Sequence, residues 1–114
     1  ICDYYSGMVM SVPVYTDMLQ KAKTPEEIHK MFSEFYAGQK FVKVMPLDAE
    51  AGEGNMLAGN GCSGWDGLKI FITGNEERVL LSSQFDNLGK GASGAAIQCL
   101  NIVMGCEEDK GLQL

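Results

Sequence analysis

The residues with the clearest chemical use sit in two glycine-rich stretches, each matching the dinucleotide fingerprint G-x-G-x-x-G. The first, Gly59-Asn60-Gly61-Cys62-Ser63-Gly64, follows a polar loop and leads into a strand-like run, the wrong setting for a phosphate cradle. The second, Gly89-Lys90-Gly91-Ala92-Ser93-Gly94, follows a strand-like run and opens a helix-like one. Free backbone amides and the helix dipole at such a place favour an anion or a carbonyl oxygen. No second strand with an acidic end follows about 20 residues on, so this is not a complete Rossmann unit. From pattern alone, a plain glycine-rich turn before a helix explains the stretch equally well. Lys90 can hold a phosphate or carboxylate as a point charge, or simply be solvated. Asn87 offers both a donor and an acceptor, which suits an amide-bearing ligand, although Asx residues also form turns.

Other reactive side chains make weaker patterns. His29, the single histidine, has no Ser, Cys or Asp at a spacing that would make it a catalytic base, which favours a structural role. Cys62 lies in a glycine-rich loop, where exposure and mobility would favour the thiolate, and it is the thiol to suspect of reactivity. A cysteine nucleophile needs a base beside it, and the chain offers only His29. Cys2, Cys62, Cys99 and Cys106 show no Cys-x-x-Cys spacing and, with one histidine, make a poor metal set. The seven methionines are spread along the chain and read as core filler.

These residues need elements to position them. Gly7 to Thr16 is β-branched and apolar and contains Pro13, which should sit at a sheet edge or end a ladder. Thr24-Pro25-Glu26-Glu27 reads as a helix start: threonine caps open amides, proline takes the first turn and Glu27 closes a capping box. Ile28, Met31, Phe32, Phe35 and Tyr36 then recur at helical spacing, and Gly38 is a stop, so the helix is expected over about 25 to 37. Phe41 to Met45 is a short strand candidate, and Leu47 to Gly67 is irregular, a length usually functional or mobile. Leu68 to Thr73 and Arg78 to Phe85 form a hairpin around Gly74-Asn75-Glu76-Glu77. Ala92 to Met104 carries Ala92, Ala95, Ala96, Cys99, Leu100 and Val103 on one helical face, with Gly105 as its stop. The order predicts an α+β fold, helices against a mostly antiparallel sheet, with a polar tail from Cys106 to Leu114 that frays.

Composition sets the outer limits. The 114 residues, 46% apolar and 21% charged, make one domain with one modest core. A net charge of -6 repels nucleic acid and anionic membrane surfaces. Apolar stretches fall far short of the roughly 20 residues of a membrane span. No secretory leader opens the chain, which starts at Ile1 and reads as cut from something longer. Reduced thiols in a cytoplasmic protein are expected.

Asp86-Asn87-Leu88-Gly89-Lys90-Gly91-Ala92-Ser93-Gly94-Ala95-Ala96-Ile97-Gln98, with Leu100-Asn101-Ile102 and Met104-Gly105, closely resembles the C-terminal signature of N-acetyl-gamma-glutamyl-phosphate reductases. The resemblance extends upstream to Gly7-Met8-Val9-Met10-Ser11-Val12-Pro13, Thr24-Pro25-Glu26-Glu27, Tyr36-Ala37-Gly38-Gln39-Lys40-Phe41-Val42 and Phe71-Ile72-Thr73-Gly74-Asn75-Glu76. Aspartate-semialdehyde dehydrogenases share an Asp-Asn-Leu-x-Lys-Gly turn but usually depart from the Gly-Ala-Ser-Gly-Ala-Ala continuation.

The resemblance implies a homo-oligomeric, NADP-dependent oxidoreductase of arginine biosynthesis that reduces N-acetylglutamyl 5-phosphate to N-acetylglutamate 5-semialdehyde. It implies an N-terminal Rossmann domain, then an α+β catalytic and dimerisation domain like that of the semialdehyde dehydrogenase and glyceraldehyde-phosphate dehydrogenase-like enzymes. Residues 1–88 would be part of the second domain, and 89–105 a final helix that packs on the missing NADP-binding domain. Residues 106–114 would be a polar tail. The family's nucleophilic cysteine and its histidine base match none of Cys2, Cys62, Cys99, Cys106 or His29, so no catalytic residue is carried over and the chain alone should be inert. What carries over is the turn Asn87, Leu88, Gly89, Lys90 and Gly91, which in the family lies against the nicotinamide. Relatives have a compact Leu-x-Gly-Thr-Asn segment where this chain has Leu57-Ala58-Gly59-Asn60-Gly61 and an added stretch from Cys62 to Gly67, so no role is carried over to that loop. The rival reading is a stand-alone module that dimerises through its sheet. Whether the small-residue face of Ala92 to Met104 is covered or bare separates the two.

Overall fold

Alternating apolar residues on four strands give the chain one sheet with a single well-covered region. The computed structural model describes residues 2–47 and 56–114. Within them run β1 (Met8–Tyr15), α1 (Pro25–Phe35), β2 (Val42–Val44), β3 (Leu68–Gly74), β4 (Arg78–Phe85), a π-helical turn (Gly89–Ser93) and α2 (Gly94–Val103). The sheet order is β1-β4-β3-β2, so β1 with its Pro13 is an edge strand, as the proline requires. β4 pairs antiparallel with both β1 and β3, while β2 joins β3 in parallel. The sheet is therefore mixed, which corrects the expectation of a mostly antiparallel one. The physical reason is the long connection between Val44 and Leu68: a crossover of a dozen residues or more lets the next strand run parallel, and a tight turn does not. Residues 48–55 of that connection lie outside the described residues.

Register decides what the sheet buries. Leu81 of β4 lies opposite Ile72 of β3 and Val79 opposite Gly74, and with Ile28 of α1 the residues Ile70, Ile72 and Val79 form the core. Phe32 and Tyr36 close it from the helix side. α1 starts as expected: the Thr24 hydroxyl accepts from the Glu27 amide at 3.2 Å and Pro25 takes the first turn. Glu27 reaches back to the Lys23 amide at 2.8 Å, one residue before the cap. The helix ends at Phe35, two residues short of the expected limit, and Gly38 follows at φ 79°. The β3–β4 turn is built on Asn75, whose side-chain oxygen accepts from the Glu77 and Arg78 amides. Gly74, at φ 130°, has no room for a Cβ, which would lie 2.2 Å from the Arg78 carbonyl oxygen.

Two features depart from the sequence reading. The tail from Cys106 onward is docked and does not fray. Buried Asn101 donates to the carbonyls of Glu108 and Lys110, Lys40 pairs with Asp109 at 3.1 Å, and the Gln113 amide donates to the Asp66 carboxylate. The second departure is α2, whose inward residues are Gly94 and Asn101 while Leu100, Ile102, Val103 and Met104 are exposed. Ala92, Ala96 and Cys99 lie bare as well. α1 covers the β2–β3 half of the sheet and leaves Met8, Met10 and Val12 of β1 exposed. Among the described residues, no helix is long and apolar enough to cross a membrane.

Burial separates two mutations on the same face of the sheet. Ile72→Ala empties a site 2% exposed, and should cost about 2–5 kcal/mol of unfolding free energy in urea. Met10→Ala, at 54% exposure, should stay within about 0.5 kcal/mol.

Candidate functional site

β4 ends at Phe85, and the next residue organises everything around the glycine-rich turn. Asp86 is buried, and its carboxylate collects donors from separate parts of the chain. Oδ1 accepts from the amides of Leu88 at 2.8 Å and Gly89 at 3.2 Å. Oδ2 accepts from the Ser6 hydroxyl at 2.9 Å and the Gly64 amide at 2.6 Å. Burial pushes its pKa up, but the amides of Gly64, Leu88 and Gly89 and the Ser6 hydroxyl together hold it below the ordinary carboxylate value. Asn87 adds a second tie, its Oδ1 accepting from the Gly7 amide at 2.7 Å.

The turn that follows satisfies its backbone internally. The Gly91 amide donates to the Asp86 carbonyl at 2.8 Å, and the Ser93 amide and hydroxyl both donate to the Leu88 carbonyl. With Leu88 and Gly89 bound to Asp86, the amides of Leu88, Gly89, Gly91 and Ser93 are all occupied, so the turn is not a ready pyrophosphate nest. Its glycines have a packing reason. A Cβ on Gly94 would lie 2.2 Å from Asp66 Oδ1 and one on Gly89 would lie 2.8 Å from it, while a Cβ on Gly91 would press on the Phe85 ring at 3.1 Å. The close approach these glycines permit is made by the chain's own Asp66.

Asn87 to Gly91 thus stand together in one turn, but they face different surroundings. Asn87 lines a cleft of about 260 Å³ with Cys2, Tyr4, Tyr5, Ser6 and Gly7. Among the described residues no acceptor takes its Nδ2 protons, which suits the carbonyl of a carboxamide placed there. Leu88 is exposed. Lys90 is half-buried, donates to Gln98 Oε1 and stands 4.9 Å from the centre of the Phe41 ring. Gln98 in turn donates to Glu108 at 2.6 Å. Lys90 therefore braces the turn against α2 and the tail.

The other candidates have structural roles. His29 Nε2 bonds the Met45 carbonyl at 2.9 Å, joining α1 to the end of β2. Cys62 is buried, contrary to the exposure expected of it, because its loop folds onto β4, where Sγ donates to Gln84 Oε1 at 3.5 Å. Burial pushes this thiol up and the Asp86 charge adds to that, against a downward pull from Lys69. Gly59 and Gly61 of the first glycine match pack on the Tyr4 hydroxyl and the Gln84 side chain. Sequence alone assigns no role to Asp86, Asp66 or Asn101. For Asp86 a signal existed, since an Asp that begins Asp-Asn-Leu-Gly is an Asx-turn former. Asp66 and Asn101 bond partners 47 residues and 7 to 9 residues away, which no local pattern announces.

Two outcomes test this geometry. Asp86→Asn places an NH2 group where backbone amides converge, and should cost about 1–3 kcal/mol at neutral pH. Because the folded pKa of Asp86 lies below the unfolded value of about 3.9, its contribution is complete above that value and is lost as pH falls through the folded one. Urea midpoints against pH should therefore converge for the two proteins in acid. With a thiol reagent, Cys2 and Cys99, both exposed, should label in the folded chain, and Cys62 only on unfolding.

No protein-family model matches the chain. Among curated proteins, N-acetyl-gamma-glutamyl-phosphate reductase 2 of Nostoc sp. is 38% identical over 114 residues, covering 96% of this chain and 35% of that protein. The N-acetyl-gamma-glutamyl-phosphate reductase of Trichormus variabilis is 36% identical, with the same coverage. That of Brucella ovis is 39% identical over 101 residues, 87% of this chain and 32% of the protein. The chain spans about a third of the length of these relatives. Through the C-terminal region that it shares with them, the chain belongs to the N-acetyl-gamma-glutamyl-phosphate reductase family.

Proposed function

We propose that this chain is the C-terminal part of a reductase that uses NADP to convert N-acetylglutamyl 5-phosphate into N-acetylglutamate 5-semialdehyde. One observation carries the reading beyond family membership. α2, immediately after the Asn87–Gly91 turn, points Gly94 and Asn101 into the chain and leaves Leu100 at 55% and Val103 at 83% exposure. A helix with its apolar side outward needs a cover. A Rossmann domain supplied by the rest of the polypeptide would provide it and would bring the cofactor to the turn. The bare face weighs against a self-sufficient assembly module.

The bound cofactor would supply hydride chemistry. This chain's part is to hold one edge of it: the Asn87 Nδ2 protons bond a carboxamide carbonyl, and Leu88 adds an exposed apolar contact beside it. Gly89, Lys90 and Gly91 complete the lining, with the Lys90 charge fixed by Gln98 and Phe41. Asp86 keeps the turn in shape through the bonds to Leu88 and Gly89. The nucleophile and the base come from outside this chain, in keeping with the structural partners of Cys62 and His29. The exposed Met8, Met10 and Val12 on edge strand β1 offer a surface for a second copy. A cytoplasmic biosynthetic enzyme is the setting that fits this assignment.

A chimera tests the proposal directly. The chain alone, and the chain replacing the matching third of the Nostoc sp. relative, are assayed for NADP reduction with N-acetylglutamate semialdehyde and phosphate. Activity is expected in the chimera only, and not with aspartate semialdehyde. In the chimera, Asn87→Ala should raise KM for NADP about three- to tenfold, the worth of one hydrogen bond. Turnover by the chain alone, or a folded chimera without activity, overturns the proposal.

A further inference from the structure

The lysine of the glycine-rich turn is tied to the C-terminal tail through an amide. Lys90 Nζ donates to Gln98 Oε1, and Gln98 Nε2 donates to Glu108 Oε1 at 2.6 Å. Three segments meet in this run of bonds: the turn before α2, α2 itself and the docked tail. All three side chains are half-buried, where a polar bond is screened less than at the open surface.

The direction of the amide follows from its partners. An ammonium only donates and a carboxylate only accepts, so a single orientation of Gln98 serves both. With Nε2 committed to Glu108, Oε1 has to face Lys90. Without Glu108 the amide could turn about its last bond and present either end. Glu108 is itself held, since its carbonyl accepts from buried Asn101 at 3.1 Å and its neighbour Asp109 pairs with Lys40 at 3.1 Å.

The amide also keeps two opposite charges apart. A direct ion pair between Lys90 and Glu108 would join turn to tail equally well, but it would cancel the charge of the ammonium. Through Gln98 the same tie is made and the unit charge survives, because a carboxamide and the Phe41 ring, 4.9 Å away, attract a cation without neutralising it. We propose that Gln98 and Glu108 are positioning residues: they hold the Lys90 ammonium at one place in the turn and preserve its charge for the ligand that meets the turn. That this ligand is the cofactor rests on the reductase reading above. The tail, through two side chains, thereby sets how tightly the cofactor is held.

The variant that separates this role from plain bracing exchanges the two groups. Gln98→Glu with Glu108→Gln keeps the net charge, the sizes and the run of hydrogen bonds, but sets the carboxylate directly on Lys90. In the chain alone, trace acetylation by acetic anhydride is followed lysine by lysine by mass spectrometry, with exposed Lys30 as the internal reference. Lys90 should react about tenfold more slowly in the exchanged variant, because a carboxylate contact holds the ammonium proton. It should react about threefold faster in Gln98→Leu and in Glu108→Ala, which release it. Glu108→Gln, whose side-chain oxygen still accepts from Gln98, should restore the parent rate. In the active chimera, the exchanged variant and Gln98→Leu should raise KM for NADP about three- to tenfold with kcat changed less than about twofold. Unchanged acetylation of Lys90 in Gln98→Leu and Glu108→Ala, or an exchanged chimera with the parent's KM, overturns the proposal. A folded parent chimera without activity overturns the reductase reading alone, and the acetylation rates still decide whether the tail positions Lys90.

Discussion

A buried carboxylate in an interior of low dielectric must be fully bonded or it destabilises the fold, and the site around Asp86 follows from that constraint. Its two oxygens draw the chain before β1, at Ser6, the loop before β3, at Gly64, and the turn after β4, at Leu88 and Gly89, to one point. Each of those segments lies outside the strands of the sheet. Asn87 then binds Gly7, whose φ of 130° and close approach to the Gly59 carbonyl allow no side chain. The turn before α2 is accordingly a rigid part of the sheet's end and not a loose loop, and rigidity is what a surface that receives part of a ligand needs.

How much of this was legible in the sequence depended on the range of the interaction. The α1 cap, the Gly74–Glu77 turn, the edge position of Pro13 and the Gly105 stop are written in neighbouring residues, and the structure places them as read. β2 was legible as a strand but not in its direction, because a strand of three residues carries no mark of its partner. Cys62 was misread because the loop's exposure was inferred from its glycines, whereas those glycines let it press onto Gln84. The fingerprint at Gly89–Gly94 was legible as a place of close approach, but not in what approaches, since Asp66 comes from 23 residues earlier in the chain.

α2 shows a different limit. Ala96, Cys99, Leu100 and Val103 read as a face meant for burial, and among the described residues that face is bare. The other side, with Gln98 and Asn101, is polar because it receives a polar partner, the returning tail at Glu108 and Lys110. A helix can satisfy both readings only when it lies between its own tail and a further apolar surface. The tail thus has a purpose that its composition hides: it occupies the polar side and leaves the apolar one as the side available to dock.

The same accounting of partners distinguishes the lysines. Lys40 has Asp109, Lys30 has Glu34, and Lys90 has Gln98 with Phe41 behind it, so each cation's position is explained by the fold. Lys43 and Lys69 share the Trp65 ring and have no carboxylate among the described residues. Replacing one of them by a neutral residue would lessen repulsion within the pair while keeping a cation on the indole.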